Sequence, residues 1–157
     1  MLRVTVAPFS IKPAGEEDLD ELLPLMRAYC AFYETAPSDE ALLALARALI
    51  ADPELEGVQF IARDSDDLAI GFATIFWSWS TTRAIRIGVM NDLFVAREAR
   101  GSGAAEALIE ACRERCGKRG ARALEWQTAR DNHRAQAVYE RVGGERDETF
   151  LDYSLEC

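Results

Sequence analysis

The run Arg100-Gly101-Ser102-Gly103-Ala104-Ala105 carries residue types suited to holding an anion. Glycines let successive backbone N–H groups turn to one side, and a helix start adds partial positive charge. Such a loop favours a phosphate or diphosphate, and Arg100 adds a bidentate contact. By itself the run is also an ordinary glycine turn ahead of a helix. Two phosphate motifs are excluded. A P-loop needs Gly-Lys-Ser/Thr after its second glycine, which is absent here. The dinucleotide fingerprint needs a third small residue where Glu106 stands.

A second constellation lies downstream. Asn132 and Tyr139 are seven residues apart, close to two helical turns, so both can face one groove. Tyr139 also belongs to the stripe Ala135, Val138, Tyr139, Val142, which reads equally as the apolar face of a helix. A third lies upstream, where Asn91-Asp92 interrupts an apolar strand. Asp92 is either a proton acceptor or a strand-edge charge beside a bulge. The four cysteines form no CxxC pair, and Cys112 and Cys116 fall one helical turn apart in an apolar stripe. They read as buried thiols, and no metal is implied. The single histidine, His133, reads as solvent-facing at a helix start.

The elements that must position these residues follow from periodicity and punctuation. Phe9 to Pro13 reads as a strand, and Glu16 to Tyr33 as a helix kinked at Pro24. Ser38 caps a second helix that stops at Asp52-Pro53. Val58 to Arg63, Leu68 to Ser78 and Ala84 to Val95 are strands joined by turns too short for crossovers, hence an antiparallel meander. On the last of these, alternation puts Ile85, Ile87, Val89, Leu93 and Val95 on one face, with Asn91 the polar interruption. The glycine loop then opens a helix bearing Ala105, Leu108, Ile109, Cys112 and Cys116, ending at Lys118 to Gly120. Ala121 to Thr128 reads as a strand, Asn132 to Val142 as a helix closed by Gly143-Gly144, and Thr149 to Leu155 as a final strand. Trp126 reads as core, while Trp77 and Trp79 read as core, as a dimer surface or as the wall of a cleft. The order βααβββαβαβ is mixed α/β.

With 157 residues, no repeat and no linker, one domain covers residues 1–157. No apolar run is long enough to span a membrane. Met1 to Ser10 lacks the apolar core of a secretory signal, so the cytoplasm is the expected compartment. A net charge of −9 argues against nucleic-acid and anionic-membrane partners, which need a basic face. It permits attraction of a cationic amine.

Two of these segments together resemble a known family. Asn91-Asp92-Leu93-Phe94-Val95 followed by Arg100-x-x-Gly103-x-Ala105 is similar to the acetyl-CoA signature of the GNAT N-acetyltransferases. Asn132-x-x-Ala135-x-x-x-Tyr139 with Gly143-Gly144 is similar to that superfamily's second motif, in the same order. The resemblance implies a mixed, mostly antiparallel central sheet flanked by helices, acetyl-CoA as co-substrate and a homodimer. It implies that the Leu93-Phe94-Val95 backbone pairs with the pantetheine arm like an added strand. The amides of Gly101, Ser102, Gly103, Ala104 and Ala105, with Arg100, would hold the pyrophosphate. Asn132 and Ala135 would meet the pantetheine, and Tyr139 would protonate the departing thiolate.

The chemistry implied is acetyl transfer to a primary amine of a small molecule: a diamine, a polyamine or an amino-acid-like compound. A lysine-like amine has a pKa of about 10.4 and must lose a proton before it attacks. No covalent enzyme intermediate is needed, so Cys112 and Cys116 are not nucleophiles. The region resembles the diamine acetyltransferase branch, where Glu-Asp precedes the Leu-Phe-Val-like segment. Here the first of that pair is Asn91, an amide that cannot accept a proton. Asp92 is then the candidate base, and Asn91, Glu34 and Tyr33 are candidate substrate contacts. Two alternatives stand beside this reading: a protein or peptide acceptor, and a non-catalytic acetyl-CoA sensor.

Overall fold

The computed structural model describes residues 8–157, so most of the stretch read above as no secretory leader lies outside it. The described chain divides into two compact units, the first running to Gln127 and the second covering Thr128–Cys157. Among the described residues no helix is long and apolar enough to cross a membrane.

The first unit is a five-stranded sheet in the order β1-β2-β3-β4-β5. Its strands are β1 (Ser10–Pro13), β2 (Gly57–Arg63), β3 (Ala69–Ser80), β4 (Ile85–Val95) and β5 (Ala123–Glu125). The first four pair antiparallel, as short turns require, and β5 joins β4 in parallel after a helical crossover. That crossover is α3 (Ala104–Arg119), while α1 (Leu19–Phe32) and α2 (Asp39–Ala51) lie between β1 and β2 in sequence. Ser38 caps α2 as the sequence predicts, its hydroxyl accepting the Ala41 N–H at 3.2 Å. Pro24 lies inside α1 without ending it.

Two sets of helices cover the two faces of the sheet. On one face Leu22, Leu25 and Met26 of α1 and Leu42 and Ala46 of α2 pack with Ile61 and Phe72. Burying a side chain such as Leu22, with no exposed surface, contributes about 1.5–3 kcal/mol. On the other face α3 presses Leu108 toward Gly71 and Cys116 toward Gly88. Cys112 and Cys116 are buried thiols, as expected, and all four cysteines are free.

The second unit holds α4 (His133–Arg141). Asn132 caps it, its side-chain oxygen accepting the Ala135 N–H at 3.2 Å, and Gly143 closes it with φ of +84°. Beyond it the structure departs from the sequence reading, because Thr149 to Leu155 forms no strand. Leu151, Tyr153 and Leu155 share one face by alternation, yet they are 72%, 91% and 94% exposed. A period of two states which face a ladder would bury; it cannot supply the partner strand. Likewise β5 is three residues long rather than the eight of Ala121 to Thr128, and Trp126 is half-buried rather than core.

Candidate functional site

The strand β4 changes character partway along. Up to Val89 it is laddered on both sides, with Ile87, Gly88 and Val89 facing Ala123, Leu124 and Glu125 of β5. Past Val89 only the β3 side continues, so among the described residues the opposite edge of Met90 to Val95 carries no ladder. An open strand edge offers backbone donors and acceptors to an extended ligand.

That edge runs into the glycine loop. A 3-10 turn over Arg97–Ala99 leads to Gly101 and Gly103, which adopt φ of +77° and +92°. Those left-handed values favour glycine and aim consecutive amides together at the mouth of α3. Among the described residues no backbone N–H from Gly101 to Ala105 donates to a protein acceptor. Five unspent amides at a helix N-terminus make a fitting seat for a diphosphate. Arg100 is pinned beside it, its Nε donating to the Val95 carbonyl at 3.2 Å and its guanidinium 6.0 Å from the Phe94 ring. The Ser102 hydroxyl turns back onto the Ala99 carbonyl.

Between the two halves of β4 sits a bulge. Thr74 faces Asp92 while Ile75 faces Met90, which leaves Asn91 as an extra residue. The bulge overturns the simple alternation read from sequence. Asp92 and Phe94 share the α1 side with Ile87 and Val89, whereas Leu93 and Val95 turn to the α3 side. One inserted residue inverts the parity of everything after it.

The bulge delivers Asp92 to a polar pocket under α1. Its carboxylate accepts from Asn91 Nδ2 at 2.9 Å, and the Thr74 and Tyr29 hydroxyls lie beside it. Burial pushes the Asp92 pKa up, and those groups oppose it without cancelling it. The Tyr29 hydroxyl donates its one hydrogen to the Asn91 carbonyl oxygen at 3.3 Å. Tyr29 stacks edge-on against Tyr33 at the end of α1, ring centroids 5.2 Å apart. Glu34 follows in a left-handed turn with φ of +58°. The sequence reading missed Tyr29, Thr74 and Gln59. The last two interrupt otherwise apolar strands, which is the signal that points to them.

In the second unit Asn132, Ala135 and Tyr139 lie on α4 with Ala135 and Tyr139 half-buried, as the expected stripe requires. The Asn132 carbonyl oxygen is spent on the helix cap. His133 is exposed. Trp77 is half-buried and donates to the Pro53 carbonyl at 2.8 Å, and Trp79 is largely exposed under Arg86. The Cys116 thiol is pushed up to about 11 by burial, and burial pushes Cys112 higher still, so both stay protonated.

Comparison with known proteins places this geometry. Residues 19–144 match the model of the acetyltransferase (GNAT) family. The uncharacterized N-acetyltransferase YhfO of Bacillus subtilis (strain 168) is 33% identical over 146 residues, covering 93% of this chain and 96% of that protein. The D-amino-acid N-acetyltransferase HPA3 of Saccharomyces cerevisiae is 31% identical over 142 residues, 90% of this chain and 86% of its own. Among solved structures, the aminoglycoside N-acetyltransferase AAC(6')-Iy in complex with CoA shares the fold. It has a TM-score of 0.80 and 24% identity, over 99% of this chain and 100% of that one.

Proposed function

The chain belongs to the GNAT acetyltransferase family and is an N-acetyltransferase, and from that premise we propose that it moves acetyl from acetyl-CoA to the primary amine of a small molecule. The observation that carries this reading is an edge of β4, unpaired among the described residues, leading into five amides at the start of α3 that meet no acceptor there. The edge suits an extended pantetheine arm, and the amides suit a pyrophosphate. Acetyl-CoA supplies an activated thioester carbonyl that the amine attacks directly in a ternary complex.

The residues of the chain divide the remaining work. Leu93, Phe94 and Val95 present backbone groups along the arm, and Gly101 to Ala105 with Arg100 hold the diphosphate. Asn132 and Ala135 meet the pantetheine. Asp92 takes the proton from the arriving ammonium, directly or through one water, since its amide neighbour Asn91 cannot. Its raised pKa brings the carboxylate nearer to the acidity a base needs at neutral pH. Asn91, Tyr33 and Glu34 line the acceptor side. A backbone N–H near Leu93 stabilises developing charge on the carbonyl oxygen, and the Tyr139 hydroxyl returns a proton to sulfur.

The acceptor is a diamine, a polyamine or an amino-acid-like amine. The yeast relative, a D-amino-acid N-acetyltransferase, supports including D-amino acids among the acceptors. We place the enzyme in the cytoplasm as a single domain and a homodimer; the exposed apolar side chains of Leu151, Tyr153 and Leu155 support self-association. Acetyl-CoA should stabilise the protein saturably in a thermal-shift titration. An amine panel of diamines, polyamines, D- and L-amino acids and short peptides, followed by thiol release, should find turnover with a small amine. Turnover confined to peptides would replace the acceptor class. No stabilisation by acetyl-CoA would overturn the reading itself.

A further inference from the structure

Gln59 and Thr74 are buried polar side chains in an apolar sheet, 4% and 0% exposed. Burying an amide and a hydroxyl is costly unless every polar atom is bonded. Leucine and valine would fill the same space without that demand. Their positions give a reason. Gln59 on β2 sits directly across from Thr74 on β3, and Thr74 directly across from Asp92 on β4. Three polar side chains therefore form one row running laterally across three strands on the α1 side.

The row has a fixed direction. Gln59 Nε2 can only donate, and it donates to Thr74 Oγ1 at 3.2 Å. With that oxygen's lone pair engaged, the single hydroxyl hydrogen of Thr74 is left to point the other way. Directly opposite in the register stands the Asp92 carboxylate, which when ionised can only accept. The amide reaches Met26 Sδ as well, 3.9 Å away, which fixes its rotamer from the α1 side. The other groups that face the carboxylate are Tyr29 from α1 and Asn91 from its own strand.

We propose that Gln59 and Thr74 are positioning residues for the reaction: a one-way row of hydrogen bonds, β2 to β3 to β4, holds the Asp92 carboxylate at the point where it receives the substrate's proton. The bulge at Asn91 is part of the same device. In an unbulged strand Asn91 would face Thr74 and Asp92 would turn toward α3, out of the row. The inference rests on Asp92 serving as the base, and its test is chosen to separate the two claims.

The test reads Asp92 directly in the free protein, by carbon NMR titration of its carboxyl group. In the natural chain the midpoint should lie above the ordinary aspartate value. Thr74→Val keeps the shape and removes the donor, so the ionised form loses a partner and the midpoint rises by about half a unit to one unit. Thr74→Ser restores the hydroxyl and returns the midpoint. Gln59→Leu frees the Thr74 hydroxyl to turn and gives a smaller rise, and it carries the test if Thr74→Val does not fold. The acid limb of kcat/KM for the best amine in the panel moves with the midpoint, while acetyl-CoA affinity stays unchanged. A purely structural role lowers Tm but leaves the midpoint in place, and an unmoved midpoint in folded Thr74→Val overturns the proposal. Full activity in Asp92→Asn would instead remove the base assignment, whatever Thr74→Val does.

Discussion

The two halves of β4 differ more from each other than β4 does from its neighbours. From Ile85 to Met90 the strand is structural: it is laddered to β3 and, through Val89, to β5, and Ile87 and Met90 are buried. From Asn91 to Val95 one edge is unpaired among the described residues, and a carboxylate faces the α1 side of the sheet. The switch is one extra residue. A bulge costs a ladder position and re-aims every side chain after it, which is how one strand serves both packing and chemistry.

Substitutions in the two halves should therefore fail differently. The largest effect belongs to the upper half, where Asp92→Asn should lower kcat by about 10²-fold or more. Its Tm should hold or rise, because a carboxylate whose pKa is raised on folding is disfavoured in its ionised form. In the natural enzyme the rate falls as pH drops through that pKa, at a higher pH than for an ordinary aspartate. A parallel loss of Tm and activity in Asp92→Asn would erase the contrast. Next, Gly103→Ala at φ of +92° should weaken acetyl-CoA binding about tenfold in calorimetry, since a left-handed alanine costs about 1–2 kcal/mol.

The lower half should give the mirror image. A methyl at Gly88 would collide with Cys116 Sγ, so Gly88→Ala should destabilise by about 1–3 kcal/mol in chemical denaturation. Its kcat per folded molecule should be unchanged; a selective loss of kcat would extend the functional region down the strand. The smallest effect concerns the thiols. Under native conditions an alkylating reagent should modify the exposed Cys157 and spare Cys112 and Cys116, and rapid modification of Cys116 would contradict its packing.

Local features were legible in the sequence, and non-local ones were not. Ser38 announces its cap, Gly143 its helix end and the Gly101 loop its amides, because each acts within a few residues. The meander followed from turn lengths. A bulge beside Asp92 reads from the sequence as one alternative, but the phase it imposes does not, because a strand's phase depends on what its neighbour places opposite. Gln59, Thr74 and Tyr29 escaped for the same reason: they meet Asp92 only once β2, β3, β4 and α1 are assembled. The Thr149 to Leu155 pattern was read as a strand although a strand exists only with a partner. The roles of Asn132 and Tyr139 come from motif resemblance, beside which the α4 stripe stands as an independent regularity.

The central claim is that the amides at the mouth of α3 receive the diphosphate of acetyl-CoA. Amide NMR of the labelled protein, titrated with acetyl-CoA, tests it residue by residue. The account predicts large, saturable shifts at Gly101 through Ala105 together with Leu93 to Val95, and little change along Ile85 to Val89. Binding that left the Gly101 to Ala105 amides unmoved would contradict it.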